Sequence, residues 1–377
     1  MPKRFQYAVR LNLRSVYDDN ISLTKGNGSS SAADIYFAIE PAVSIGFGDI
    51  VGHERNFIRL DYAPSFFVYT EHSGADALQQ VMRLEGEYRF SHLSLGLTQD
   101  VQLLEGTNPG YVGVATSSTT RPALNLDAGG NVKQNIYSTN ASFSYDLTGK
   151  TFLSGSAQLA INDYQSLIGS EVYSGNLFLN YTYSPKLVIG LGGTAGYNAV
   201  DSPNPSQTFE QINGRLTYEL SGKVNLNASG GVEFRQFESD SRGGNYVSPV
   251  FELGATYQPF DGTTLNLIGS RRTQNSAVLF GQDYTSTQIN LSARQRFLRR
   301  LYLGLAIGYE KSDYFSTVQA INASRNDNYF FVQPSIDLTL MRFWTLGVYY
   351  LHRQDDSSSE AFSFNDNQVG MRTSLTF

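Results

Sequence analysis

Apolar and polar residues take turns along most of this chain. From Met82 to Phe90, the residues Met82, Leu84, Gly86, Tyr88 and Phe90 interleave with Arg83, Glu85, Glu87 and Arg89. Successive side chains of an extended strand point to opposite faces, so this stretch has one apolar and one charged side. The C-terminal stretch repeats the pattern, setting Val369, Met371, Thr373, Leu375 and Phe377 against Gln368, Gly370, Arg372, Ser374 and Thr376. Four successive charges on one face are hard to place inside a soluble sandwich, whereas in a membrane barrel they line water.

The same alternation predicts strands at Phe5 to Asn20, Ile35 to Phe47, Ile58 to Val68, Met82 to Phe90 and Leu93 to Leu103. It continues at Gln134 to Asp146, Phe152 to Asp163, Val172 to Tyr183, Leu187 to Asn198, Thr208 to Leu220 and Val224 to Phe237. The last set lies at Tyr246 to Tyr257, Thr263 to Arg272, Asp283 to Phe297, Leu301 to Glu310, Asn328 to Leu340, Phe343 to Arg353 and Ala361 to Phe377. The total is about eighteen, an even number as in single-chain bacterial barrels. The expected fold class is all-β: one transmembrane antiparallel up-and-down β-barrel domain over residues 1–377.

Connections alternate between short ones, such as Met341-Arg342 and Ser221 to Lys223, and long ones, such as Tyr314 to Asp327 and Glu238 to Asn245. Short periplasmic turns and longer external loops produce that alternation. Counting back from Phe377 places both termini at the periplasmic end and makes Thr107 to Asn131 the third external loop. It also requires Ala361 to Phe377 to pair with Phe5 to Asn20. Aromatics fall where interface girdles belong: Phe47, Phe90, Tyr145, Tyr183, Tyr218, Tyr257, Phe297, Trp344 and Phe377 at the periplasmic rim, and Tyr17, Tyr69, Tyr173 and Tyr350 at the outer rim. Arg271 shares the lipid side with Leu265 and Leu267. At the bilayer midplane it would cost about 2–4 kcal/mol, so it is expected near the outer interface or beside a register-resetting bulge.

Composition narrows the class. In 377 residues no apolar run reaches the ~18 residues a membrane helix needs. Mean hydropathy is only -0.27 although 13% of residues are aromatic, the mixture expected when half of each strand faces lipid and half water. Cysteine is absent, which is compatible with an oxidising compartment. The net charge of -6 speaks against nucleic acid as a partner. No secretory leader precedes the first strand, so the chain is expected to be a mature or trimmed form. Arginine outnumbers lysine threefold, a bias suited to carboxylate pairing on a lumen wall.

The opening Ser15-Val16-Tyr17-Asp18-Asp19-Asn20-Ile21, the strand from Asp34 to Pro41 and the terminal Phe377 resemble the putative β-barrel porin-2 family of Gram-negative outer-membrane proteins. The likeness spans the whole chain. It implies a place in the cell outer membrane, among lipid and lipopolysaccharide, and insertion by the barrel-assembly machinery, for which Phe377 looks like the aromatic-ended signal. Some members are associated with exopolysaccharide export and its partner proteins, and others are regarded simply as porins. The expected activity is therefore passive diffusion of small polar or charged solutes through a water-filled pore, with a barrel component of polysaccharide export as the alternative.

Inward charges divide into two sets. Arg10, Arg14, Arg272, Arg294, Arg296, Arg353 and Arg372 form an expected basic wall, opposed to Glu40, Asp61, Glu85, Glu87, Asp100, Glu219, Glu233 and Glu252. Such a division either sets a transverse field across a wet pore or supplies salt bridges that stiffen the wall. Loop Thr107 to Asn131 is a candidate constriction that would bring Arg121 and Asp127 toward the axis, since a barrel this wide is otherwise an open hole. Asp18-Asp19-Asn20 reads as a solvated loop entrance rather than a calcium site. The glycines of Gly190 to Gly196 lie inside a strand with no helix after them, so they do not form a phosphate loop and are expected to keep the lumen wide. The four histidines are scattered, which leaves no catalytic constellation, metal centre or cofactor to expect.

Overall fold

The computed structural model describes residues 5–25, 32–48, 50, 56–108, 125–128, 132–220, 222–238, 246–318, 321 and 325–377. Eighteen strands account for most of them. In chain order they are β1 (Phe5–Asp18), β2 (Asp34–Gly48), β3 (Phe57–Tyr69), β4 (Ala77–Arg89), β5 (Leu93–Leu104) and β6 (Gln134–Asp146). Next come β7 (Thr151–Tyr164), β8 (Ser170–Ser184), β9 (Leu187–Val200), β10 (Gln207–Leu220), β11 (Val224–Phe237) and β12 (Tyr246–Tyr257). The series ends with β13 (Thr263–Asn275), β14 (Gln282–Arg296), β15 (Leu301–Ser316), β16 (Asn326–Met341), β17 (Trp344–Ser357) and β18 (Phe364–Thr376).

Each strand pairs antiparallel with its sequence neighbours, and β1 pairs with β18, so the sheet closes on itself. Closure matters physically because hydrocarbon offers no partner to an unpaired N–H or C=O. The closing seam runs from Arg10 opposite Thr376 to Asp18 opposite Gln368, as the alternation requires. Beyond it, Val9 and Phe377 exchange backbone hydrogen bonds of 3.0 and 2.8 Å. The apolar members of the alternation form the exterior: Phe5, Tyr7, Ile39, Phe47, Leu191 and Met371 are all exposed on the barrel wall.

Prolines mark where this wall is interrupted. Proline has no N–H to give to a ladder. Pro41 and Pro64 fall in the gap of the β2–β3 ladder between Ile39–Phe66 and Val43–Tyr62. Pro334 falls in the gap of the β16–β17 ladder between Val332–His352 and Ser335–Tyr349. Pro249 lies in the part of β12 that pairs with β11 but not with β13, since among the described residues β12 meets β13 from Phe251–Arg271 to Tyr257–Leu265.

That last gap reflects a change of direction. Strands β13 and β15 run on to Asn275 and Ser316, past the ends expected from alternation, and β13 stays paired with β14 while leaving β12. The outer β13–β14 hairpin then folds into the lumen. Asn275 Oδ1 accepts from Asn198 Nδ2 at 3.3 Å, Ala277 O accepts from Ile168 N at 2.9 Å, and Gly281 N donates to Asn204 Oδ1 at 2.7 Å. These partners lie in β9 and in the connections β7–β8 and β9–β10, several strands away round the wall from the hairpin.

The lumen is therefore not uniformly wet. Val16, Tyr36, Phe67, Tyr329, Phe331 and Tyr349 point inward and form a buried apolar cluster with Leu351, Phe364 and the loop residues Ile21, Leu23 and Leu126. Tyr69, expected at the outer rim, belongs to this cluster. Even-numbered residues of β3 face lipid, so odd-numbered Tyr69 faces the lumen, where its hydroxyl accepts from Asn108 Nδ2 at 3.2 Å. Close packing explains Gly370 on β18, where a Cβ would meet the Tyr349 ring at 2.4 Å. Burying one such aromatic ring contributes about 2–3 kcal/mol.

Arg271 stays on the lipid-facing side, opposite Phe251 and Thr287, with no bulge in either ladder. It stands at the point where β12 and β13 diverge, close to the outer rim, where the cost of an exterior arginine falls to about 0–1 kcal/mol.

Candidate functional site

The inner surface carries the charges, and strand register alone puts all fifteen residues of the two expected walls on it. Their pairing is less segregated than their sequence positions. Arg14 Nη2 lies 2.6 Å from Glu40 Oε1, which joins the basic wall to the acidic one. Arg372 grips Asp337 through two contacts of 2.7 Å, and the fully buried Arg353 is ion-paired with Asp366. On the other side, Asp61 is held by Arg59 at 2.9 Å and Glu233 by Arg235 at 2.9 Å. Glu85 and Asp100 share Arg83 at 3.6 Å each, and Glu87 binds Arg89 at 2.5 Å.

What survives as unpaired charge is smaller. Among the described residues, Arg10, Arg272, Arg294, Arg296, Glu219 and Glu252 make no ion pair. Arg10, Arg294 and Arg296 sit toward the periplasmic ends of β1 and β14, with the Arg294 guanidinium 4.5 Å from the centroid of the Tyr302 ring. Glu219 stands beside the β10–β11 turn on the far wall. Short-range ion pairing thus dominates the acidic wall, and the transverse asymmetry rests on these few side chains.

The third external loop is anchored at both of its described ends. At its start, Asn108 Nδ2 donates to Asp18 Oδ2 at 3.1 Å, and Asn108 Oδ1 accepts from Gln368 Nε2 at 2.6 Å and from Arg353 Nη2 at 3.2 Å. Arg353 Nη1 also reaches Thr107 O at 3.0 Å. The loop leaves β5, yet these partners lie on β1, β17 and β18, so the chain turns inward at once. At its other end, Asp127 Oδ1 accepts from Ser276 Oγ at 2.8 Å and from Tyr314 OH at 2.9 Å, while Oδ2 accepts from Ala277 N at 2.6 Å. Arg325 holds the carbonyls of Leu126 and Asp127 at 3.0 Å each. Arg121 lies outside the described residues.

Asp127 is 4% exposed. Burial pushes its carboxyl above the ordinary range, and the Ala277 and Ser276 hydrogen bonds and the Arg325 charge pull it back. Arg325 itself is flanked by rings, Phe362 at 3.6 Å and Tyr314 at 4.6 Å from their centroids. The loop and the infolded β13–β14 hairpin therefore meet at one carboxylate and brace each other across the outer half of the lumen.

Other positions take plainer roles. Asp18, Asp19 and Asp366 bring carboxylate oxygens within 4.8 Å of one another, but each is already engaged: Asp18 by Asn20 N and Gln368, Asp19 by Asn367, Asp366 by Arg353. The inward glycines of β9 make room for neighbours instead of widening the lumen: a Cβ on Gly192 would meet the Phe178 ring at 2.6 Å. Phe377 is two-thirds exposed at the rim and stacks on Phe343 at 5.9 Å.

Sequence reading missed the Ser276–Ala277 latch, Arg325 and the lumenal aromatic cluster. A signal for the cluster existed. Tyr36-Phe37-Ala38-Ile39, Phe66-Phe67-Val68-Tyr69 and Tyr329-Phe330-Phe331-Val332 are continuous apolar runs, as expected of strands buried on both faces. No comparable signal marks Ser276 or Arg325.

This architecture is found in a solved structure. The outer membrane channel DcaP of Acinetobacter baumannii superposes with a TM-score of 0.52 at 14% identity, over 99% of this chain and 97% of that one. OccK9 (OpdG) of Pseudomonas aeruginosa gives 0.48 at 13% identity over 98% of both chains. No curated protein matches the sequence significantly. The family model described as "Putative beta-barrel porin 2" matches residues 5–377. A closed 18-strand barrel with a lipid-facing exterior and a charged lumen agrees with that match, and the chain is a porin-like outer-membrane channel protein of a Gram-negative bacterium, belonging to this porin family.

Proposed function

We propose that the barrel conducts small polar or charged solutes passively through a water-filled path, and that the third external loop with the β13–β14 hairpin sets its narrowest section in the outer half. The supporting observation is the double anchoring of the loop, by Asn108 to the β17–β18–β1 wall and by Asp127 to the hairpin. Loops crossing a wide lumen narrow it and bring selected side chains to the solute.

Below the constriction, Arg10 on β1 faces Glu219 on β10 across the periplasmic vestibule, with Arg294 and Arg296 on the β14 wall between them, so charge selectivity resides there. His72 binds Asp34 at the β3–β4 connection and His352 binds Asn367 on the exterior. Planar-bilayer recording tests the proposed conduction. Asp127→Ala is expected to raise single-channel conductance, and a correctly folded protein that conducts no ions would overturn the proposal.

A further inference from the structure

Along the exterior, one row of the sheet differs from its neighbours. Strand register aligns Phe251, Arg271, Thr287, Lys311 and Asn328 on the lipid-facing side of five adjacent strands. The row beneath it, one step toward the periplasm, is apolar and exposed at Ile289, Tyr309 and Phe330. Two cations thus stand at the upper edge of the apolar band, flanking a hydroxyl.

The wall above this row is set back. Alternation puts Thr273, Asp283 and Thr285 on the exterior side of the hairpin, yet each is at most 8% exposed. They are covered because the hairpin passes inside β12. Arg235, on the inner face of β11, reaches Thr273 O at 3.4 Å, and Tyr246 of β12 contacts Thr285 Oγ1 at 3.0 Å and stacks on Phe315 at 4.0 Å. The barrel surface therefore steps inward above Arg271, beside the part of β12 that β13 has left.

Arg271 forms the base of this step. Its Nη1 donates to Thr287 Oγ1 at 2.6 Å, which fixes the guanidinium plane, and its Nε is buried with no hydrogen-bond partner among the described residues. Across Thr287, Lys311 Nζ rests 2.8 Å from Asp313, exposed and able to swing. A guanidinium held by one hydroxyl and lacking a carboxylate is an unsatisfied anion site at the depth of the lipid headgroups.

We infer that Arg271, Thr287 and Lys311 form an exterior binding site for a phosphorylated lipid of the outer leaflet, its phosphate at Arg271 and its acyl chains over Ile289 and Tyr309. The site needs a folded barrel but not a conducting one, so it is separable from the channel proposal. Native mass spectrometry of the folded protein in neutral detergent, with phosphatidic acid, phosphatidylcholine and inorganic phosphate as probes, tests it. Phosphatidic acid is expected to be retained, and Arg271→Gln to lower retention about ten-fold, Lys311→Gln about two-fold. Arg271→Lys should keep most of it, and Arg272→Gln, one residue away but facing the lumen, all of it. Retention unchanged in Arg271→Gln, equal retention of phosphatidylcholine, or equal affinity for inorganic phosphate would each overturn the lipid site. If Arg271→Gln does not fold, judged by heat-modifiable migration, the Lys311→Gln and Arg271→Lys comparison decides.

Discussion

The inner surface of this barrel is two different materials. Toward the periplasm much of the lumen face is polar and partly exposed: Arg83 lies 3.6 Å from both Glu85 and Asp100, with a quarter or more of each side chain open to solvent, although the Arg59–Asp61 pair there is buried. Toward the outside the same face is packed: Phe331 and Tyr36 are fully buried, and Arg353 and Asp366 form an ion pair with no exposure at all. One strand period serves both, which shows that β-alternation fixes which way a side chain points but not what it meets there.

The contrast is most severely tested by deleting one partner from an ion pair in each half. Arg353→Ala leaves Asp366 buried and uncompensated and is expected to cost about 3–5 kcal/mol in urea unfolding followed by gel mobility. Arg83→Ala, in the wetter half, should cost only about 0–1 kcal/mol. Comparable losses would mean that the halves do not differ in kind.

Next in size, Asp127→Ala strands three donors at the junction of loop and hairpin and is expected to cost about 1–3 kcal/mol while increasing conductance. Acid should act in the opposite sense. Because burial raises the Asp127 carboxyl above its unfolded value of 3.8, its ionised form is the less favoured one in the fold, and the junction gains stability as pH falls through the raised value toward 3.8. Conductance is therefore expected not to rise on mild acidification, and Asp127→Asn should remove that part of the pH dependence. Smallest in stability, Arg294→Gln should stay within about 0.5 kcal/mol of the parent yet shift the ion selectivity read from reversal potentials toward cations.

The sequence revealed the barrel, its strand count, its closing pair and its exterior because lipid and water enforce opposite residue types on the two faces of each strand. Where both faces are apolar that contrast disappears, and Tyr69, an aromatic at the rim of β3, belongs to the lumenal cluster and not to the girdle. The wall charges were legible as lumenal, but their neutralisation was not: Arg14 and Glu40 are 26 residues apart and meet only through register. The Asp127 junction joins groups 150 and 198 residues apart in the chain, contacts that no local pattern encodes.

The reciprocal bonds between Val9 and Phe377 also carry a kinetic consequence. They join residues 368 positions apart (377 − 9), while every other ladder links strands adjacent in the chain. Contacts of such separation form late, after the hairpins between them. Until then β1 and β18 are two bare edges at opposite ends of a curled sheet, able to template pairing with another chain. The last step of biogenesis is thus a zipper, and its teeth are the nine register pairs from Arg10–Thr376 to Asp18–Gln368. Damage to these teeth should show first as misassembly during insertion, before any loss of stability in molecules that have already closed.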